Sequence, residues 1–396
     1  MRRPMLIAAP LAAMVLAAGL ALTGTATATM RAPAAMAGAG RTASRQAVPW
    51  SKVGPGWTLV TYTTATEFAA HPKTGSTTLY LVDPSGGKYV LYSWPRVPAY
   101  GGVNLLAWSG DGTRAMLYVA KGPNSNAQQL DQLTLATGRL TRLSLPNSVI
   151  PVGYTRPDGL AVLGYQSLQS PPRIQLVRYS LSGALEKVLF TQKTTSDGGS
   201  VNTGALSPYN PAGTSVAATV TPGGATTAGD TVLISNAGGL TRRYSAAGSC
   251  LFTSWWTASQ LLTSNCSGKR LFLTPVGGGQ AVPLTPATTS SFLRLDNAWL
   301  LAQHTYVQQY GPACGTGSLA VVRSGHLANI TVPRVAGGPF IVTASTSRLL
   351  IVPQQCQGSS AMLWFNPVSK TRVQVLSTNN GQGVIGWVPY YELSRG

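Results

Sequence analysis

Acidic residues are scarce: 10 Asp and Glu stand against 29 Lys and Arg in 396 residues, and only 3 His occur. General acid–base chemistry therefore has few candidate groups. Charged residues make up 10% of the chain, too few for the wet faces of a helical bundle. Beyond the N-terminal region, no apolar run approaches the ~20 residues that cross a bilayer as a helix. The first Cys is Cys250, so a lipid-bearing Cys behind an N-terminal signal is excluded. There is no C-x-x-C, no H-E-x-x-H and no H-x-H, which removes the common zinc signatures. No G-x-S-x-G setting surrounds any Ser. The glycine pairs and triplets, such as Gly277-Gly278-Gly279, lack the Lys and the helix of a phosphate loop. What is abundant is 44% hydrophobic residues, 44 Gly and 27 Pro. That hydrophobic content excludes a mostly disordered chain. Low charge with many turn formers suits an all-β protein of short strands.

Residues 1–28 read as a signal peptide. Arg2 and Arg3 form the positive start, an uncharged apolar run extends from Leu6 to Leu22, and Ala26-Thr27-Ala28 offers small residues before a cleavage point. Ala35-Met36-Ala37 is a second such site. The Arg pair leaves the export route open. Residues 29–47 carry no hydrophobic period and read as a disordered leader. Residues 48–396 then form a single folded domain, beginning near Trp50. The net charge of +19 falls to about +17 once Arg2 and Arg3 are removed. The expected location is extracytoplasmic, either secreted or associated with the cell envelope.

A repeat emerges after the leader. Gly-containing or similar tight turns followed by apolar strands occur at 84–92, 136–145, 181–190, 236–244, 276–284, 323–332 and 367–376. A strand before each turn alternates or runs apolar, as in TTLYLVD, DQLTLAT and AMLWFNP. A spacing of about 40–50 residues with four strands per unit is the pattern of a β-propeller blade. Seven units predict an all-β, seven-bladed β-propeller. The first unit has only three strands before the second begins, while the chain carries an unpaired apolar segment near its end, at 383–390. That segment supplies the missing innermost strand of blade one and closes the ring, removing exposed edges.

The hairpin turns carry a family resemblance. Trp108-Ser109-Gly110-Asp111-Gly112-Thr113 resembles the W-S-P-D-G-T hairpin of TolB-like (WD-type) propeller repeats of exported bacterial proteins. Leu206-Ser207-Pro208 with Ala212-Gly213-Thr214, and Arg156-Pro157-Asp158-Gly159, are similar. Repeats five to seven depart from it, with Thr257-Ala258-Ser259-Gln260, Asp296-Asn297 and Ser345-Thr346-Ser347 at the turn. In that family the propeller is mostly a docking platform, so the resemblance implies binding rather than catalysis.

Four Cys in an exported chain imply two disulfides with three possible connectivities. The repeat frame selects Cys250–Cys266, opposed across the first hairpin of blade five, and Cys314–Cys356, in equivalent loops of blades six and seven. The second pair would close 41 intervening residues, worth about 4 kcal/mol in loop entropy. No metal site and no cofactor are expected.

His71, His304 and His326 stand alone in loops and turns. Asp83, Asp111, Asp158 and Asp296 fall at turns or strand ends, where turn formation explains them. Three functions follow. The first is an exported, non-catalytic platform that binds a protein or an anionic cell-envelope polymer. The second is a propeller hydrolase or lyase acting on a sugar or peptide, which would need two acids facing the central channel. The third is a purely structural surface protein. Nucleic acid is an improbable partner for an exported chain whose Arg residues are dispersed, and a monomer is expected. The longest second-to-third strand loops, 64–77, 121–129, 221–230 and 305–317, all emerge on one face. Long loops on a rigid scaffold concentrate binding, so His71, Lys73, Lys121, Asn124, Asn126, Tyr306 and Tyr310 are the candidate binding residues, with the two tyrosines foremost.

Overall fold

The structure is a computed structural model. It describes residues 42–65, 74–97, 102–121, 128–195, 199–204, 206–223, 229–245, 250–311, 317–335, 338–354, 360–378 and 382–390. The expected signal peptide at 1–28, the loop residues His71, Lys73, Asn124 and Asn126, and the pair Cys314 and Cys356 all lie outside the described residues.

Seven sheets follow one another along the chain, and in blades two to seven each strand pairs antiparallel with the next in sequence. Blade two, for example, runs Val103–Trp108, Arg114–Ala120, Gln128–Thr134 and Arg139–Arg142, from the innermost strand outward. Its inner strands are apolar on both faces because they pack between two neighbouring sheets, and Ala115, Met116, Leu117 and Leu133 are fully buried. The outermost strand has the burial pattern of a rim, exposed at both ends.

The ring closes as the sequence predicts. Gly383–Pro389 pairs antiparallel with Thr58–Thr63 as the innermost strand of blade one. The backbone N–H of Tyr390 donates to Trp57 O at 2.7 Å, extending the ladder. Blade seven reaches blade one through Trp364 Nε1, which donates to Asp83 O at 3.1 Å, and through Lys88 Nζ, which donates to Val375 O at 3.0 Å. Burial lowers the pKa of Lys88.

Two features depart from the sequence reading. Order begins earlier than Trp50: Thr42–Ser44 adds to the outer edge of blade one as a parallel fifth strand beside Lys88–Val97, and Arg45 Nη1 donates to Leu91 O at 3.0 Å. Pairing satisfies the ladder groups of an otherwise open edge, so the last residues of the expected leader belong to the sheet. The first turn of blade six is also displaced. Asp296 and Asn297 lie within the innermost strand, Arg294–Leu301, and the turn falls at Ala302 and Gln303 before His304–Tyr310. Both turn residues have positive φ, 47° and 66°, the geometry of a tight two-residue hairpin loop, usually formed by Asn and Gly. The turns predicted for blades two and five are in place. Around 109–113, Asp111 accepts from Ser109 Oγ at 2.5 Å and from the Thr113 N–H at 3.0 Å, with Gly112 at φ 74°.

Cys250 and Cys266 form a disulfide with Cα atoms 4.9 Å apart. Cys250 precedes the innermost strand of blade five, Leu251–Thr257, and Cys266 follows the second, Gln260–Ser264, so the bond clips that hairpin where it opens.

Candidate functional site

The antiparallel topology sends the Asp-Gly and Gly turns to one face of the ring. The second-to-third strand loops and the links between blades go to the other. Two cavities border the innermost strands, and Gly204 lies on the walls of both.

The first cavity is about 230 Å³ and is bounded by the innermost strands of several blades. Trp108, Trp299, Phe340, Trp387 and Tyr390 give it an aromatic wall, and Asn297 and Arg156 supply polar groups. Phe340 and Trp387 sit with ring centroids 5.6 Å apart. Tyr390 meets Trp108 edge-on at 5.1 Å. Most polar atoms around this cavity are committed to the scaffold. Trp108 Nε1 donates to Gly112 O at 3.0 Å, and the Tyr154 hydroxyl donates to Gln132 Oε1 at 3.2 Å.

Asn297 is different. It is 1% exposed. Its Oδ1 accepts from the Ala298 N–H at 2.9 Å and from Ser254 Oγ at 3.4 Å. Its Nδ2 is buried and has no hydrogen-bond partner. A buried amide donor left unpaired costs stability.

The second cavity, about 330 Å³, lies between the inner strands of blades four, five and six on the long-loop side. Asp296, Arg294 and Tyr310 come from blade six, Leu251, Phe252 and Thr253 from blade five, and Asn202 from blade four. Among the described residues, Asp296 is the only acid on the walls of either cavity. A β-bulge places it there: Leu295 pairs with Gln309 and Asn297 with Gln308, leaving Asp296 outside the ladder. Bulges re-aim side chains in this way. The residue keeps contact with the cavity, yet protein surrounds its carboxyl closely enough that burial raises its pKa.

Three neighbours fix the site. Lys269 Nζ donates to Ser290 O, Ser291 O and Leu293 O at 2.8, 2.8 and 2.7 Å, saturating its ammonium and anchoring the approach to Arg294. Trp255 Nε1 donates to Pro208 O at 2.9 Å and holds the blade-four wall. Gly204 has φ +77°, and a Cβ there would fall 2.4 Å from Thr253 O, so only glycine lets blades four and five approach at that point.

The predicted binding residues fare unevenly. Tyr310, at the end of the second strand of blade six and opposite Arg294, lines the second cavity. Tyr306 does not. It sits inside that strand at 2% exposure, paired with Trp299 and packed with Leu319, Val321 and Ile341 against blade seven. The Asp296-Asn297 turn signal puts it in a loop, whereas the structure makes it a core residue. Lys121 is exposed beside the second strand of blade two and lines neither cavity. Asp296 and Asn297 were missed as site residues. The available signal was an acid and an amide interrupting an apolar strand, in Arg294-Leu295-Asp296-Asn297-Ala298-Trp299.

No protein-family model matches the chain, and no curated protein matches it. Solved structures do. A prolyl endopeptidase structure matches at TM-score 0.52 and 13% identity over 80% of this chain and 49% of that one. An acylaminoacyl peptidase from Pyrococcus horikoshii matches at 0.50 and 11%, over 82% of this chain and 51% of the other. The chain thus spans about half the length of these peptidases. TolB from Acinetobacter baumannii overlaps at 0.42 and 13%, over 85% of this chain and 66% of that one. At these identities the likeness to the peptidases establishes the propeller fold alone, and the overlap with TolB adds nothing to it.

Proposed function

We propose that this chain is an exported, non-catalytic β-propeller that binds a protein or an anionic cell-envelope polymer, docking at the long-loop face over the mouth of the channel. The observation that carries the reading is the second cavity, which lies on the long-loop side. Its walls combine Phe252 and Tyr310 with Asn202, Arg294 and, as the one acid among the described residues, Asp296, a lining suited to holding a ligand. Charge supports the choice of partner. The outermost strands of blades two to four expose Arg139, Arg142, Lys187, Lys193 and Arg242 against the single acid Glu186, and a predominantly basic surface draws anionic polymers. No helix among the described residues is long and apolar enough to cross a membrane.

The test is cosedimentation of the purified protein with isolated cell envelopes. Tyr310→Ala combined with Arg294→Ala should reduce retention several-fold with folding intact. Thr346→Ala combined with Ser347→Ala, at an opposite-face turn, should leave retention unchanged. Retention that survives the first pair and falls with the second would place docking on the wrong face.

A further inference from the structure

We infer that the first cavity is a pocket for a small aromatic carboxylate, its ring against Trp387 and Phe340 and its carboxylate at Arg156. The inference goes beyond envelope docking at the second cavity and does not depend on it.

The walls of the first cavity offer a ligand apolar surface and one charge. Among the described residues, Arg156 is the only charged residue on them. Polar groups beside it are occupied within the fold. Trp108 Nε1 and the Tyr154 hydroxyl donate to the scaffold. Ser207 Oγ accepts from the Tyr209 N–H at 3.2 Å, and Pro208 O accepts from Trp255 Nε1 at 2.9 Å. Asn297 Oδ1 accepts from the Ala298 N–H, and its Nδ2 is closed to solvent. A hydroxyl-rich ligand would find few partners here. A quaternary amine would suit the aromatic rings and be repelled by the guanidinium. A ring carrying one negative group suits both.

The geometry separates the two parts of such a ligand. Leu105, Leu106, Phe340 and Trp387 line the cavity and are half-buried, so the fold leaves apolar area that a ring can cover. Arg156 and Tyr390 stand together at one end. A Cβ on Gly110 would come 3.1 Å from Arg156 Cγ, and a Cβ on Gly112 would come 3.0 Å from Tyr390 Cε2. Both side chains therefore lie against the turn at 109–113, which puts the cation at the end of the cavity toward the turn face. The acids of the adjacent turns do not line the cavity. Asp111 is held by Ser109, Thr113 and Arg114, and Asp158 by Thr155 Oγ1 and the Leu160 N–H. A guanidinium presents a planar fork of N–H donors that matches a carboxylate. Size sets the limit. A volume of about 230 Å³ lies below ordinary ligand sites of about 300–1,000 Å³, so the occupant is one ring with a short acidic arm.

The purified protein is titrated by calorimetry with 3-phenylpropionate, its neutral amide, 2-phenylethylamine and a Gly-Gly-Phe tripeptide. The expected result is saturable binding of the acid by the wild type. Binding should be about tenfold or more weaker for the amide, and for the acid with Arg156→Gln. Arg156→Lys should fall between, Phe340→Ala should weaken binding several-fold, and the amine should not bind. Tm measured on each variant separates loss of the pocket from loss of the fold, and if Arg156→Gln melts early the comparison of acid with amide in the wild type still decides. Acid and amide binding equally, acid binding unchanged in a folded Arg156→Gln variant, an amine that binds better than the acid, or no binding of any probe overturns the inference. The tripeptide distinguishes the source of the ligand. A tripeptide that matches the free acid shows that the pocket takes a chain terminus, and one bound about tenfold more weakly shows that it takes a free acid. The ring-and-carboxylate chemistry holds in either case. Envelope retention through Tyr310 and Arg294 is measured separately, so failure here leaves that reading standing.

Discussion

An ionised carboxyl enclosed by protein and offset by no cation costs stability, and the cost depends on pH. Asp296 is such a group. Its folded pKa lies above the unfolded value because burial disfavours the charged form, so the folded state is penalised as pH rises past the ordinary carboxylate range and is unpenalised well below it. Asp296→Asn should therefore raise Tm at pH 7, with the gain shrinking toward zero near pH 4. Asp111 has the opposite sign. Burial alone would raise its pKa, but hydrogen bonds from Ser109 and Thr113 and the nearby Arg114 charge hold it below the usual value. Its stabilisation is present at neutral pH and is lost as pH falls through the folded pKa, so Asp111→Asn should lower Tm at pH 7. Thermal melts of both variants across that range check the two signs together, and matching pH profiles would refute the assignment.

At the scale of elements, the disulfide and the bulge act on the same wall. Cys250 and Cys266, separated by 16 in sequence, clip the hairpin that contributes Leu251, Phe252 and Thr253 to the second cavity. Breaking a loop of that length costs about 3 kcal/mol. Cys266→Ser should lower Tm by several degrees and weaken ligand retention more than a change of equal destabilising effect in blade two. Equal losses of retention in both variants would show that the clip serves folding alone.

The elements also show what could be read from the sequence. Gly turns at a regular spacing, apolar strands and the unpaired C-terminal segment all express local rules of turn chemistry and burial, and they were legible. The bulge at Leu295–Asn297 was not. A bulge breaks the two-residue alternation that identifies a strand, and an Asp-Asn pair is itself a turn signal. The real turn at Ala302 and Gln303 carries neither Gly nor Asn, so nothing drew the frame to it. One misplaced turn hid the site pair in a loop and moved Tyr306, a core residue, to the surface. Cavity walls drawn from several blades were illegible for a different reason, since no local rule states which inner-strand residues meet across the axis.

For the whole molecule, ring closure and function are linked. The strand Gly383–Pro389 joins the two ends of the described chain and also brings Trp387 to the channel wall, so the element that seals the propeller helps shape its cavity. In the proposed function the basic rim supplies diffuse long-range attraction and the cavity supplies specificity. The central claim is that the partner docks over the channel mouth on the long-loop face. Hydroxyl-radical footprinting of the protein, alone and bound to isolated envelopes, tests it most directly. The account predicts protection at Leu251, Arg294 and Tyr310, with the turns at 302–304, 324–326 and 345–348 unchanged. Protection of those turns, with the channel mouth left as reactive as in the free protein, would contradict it.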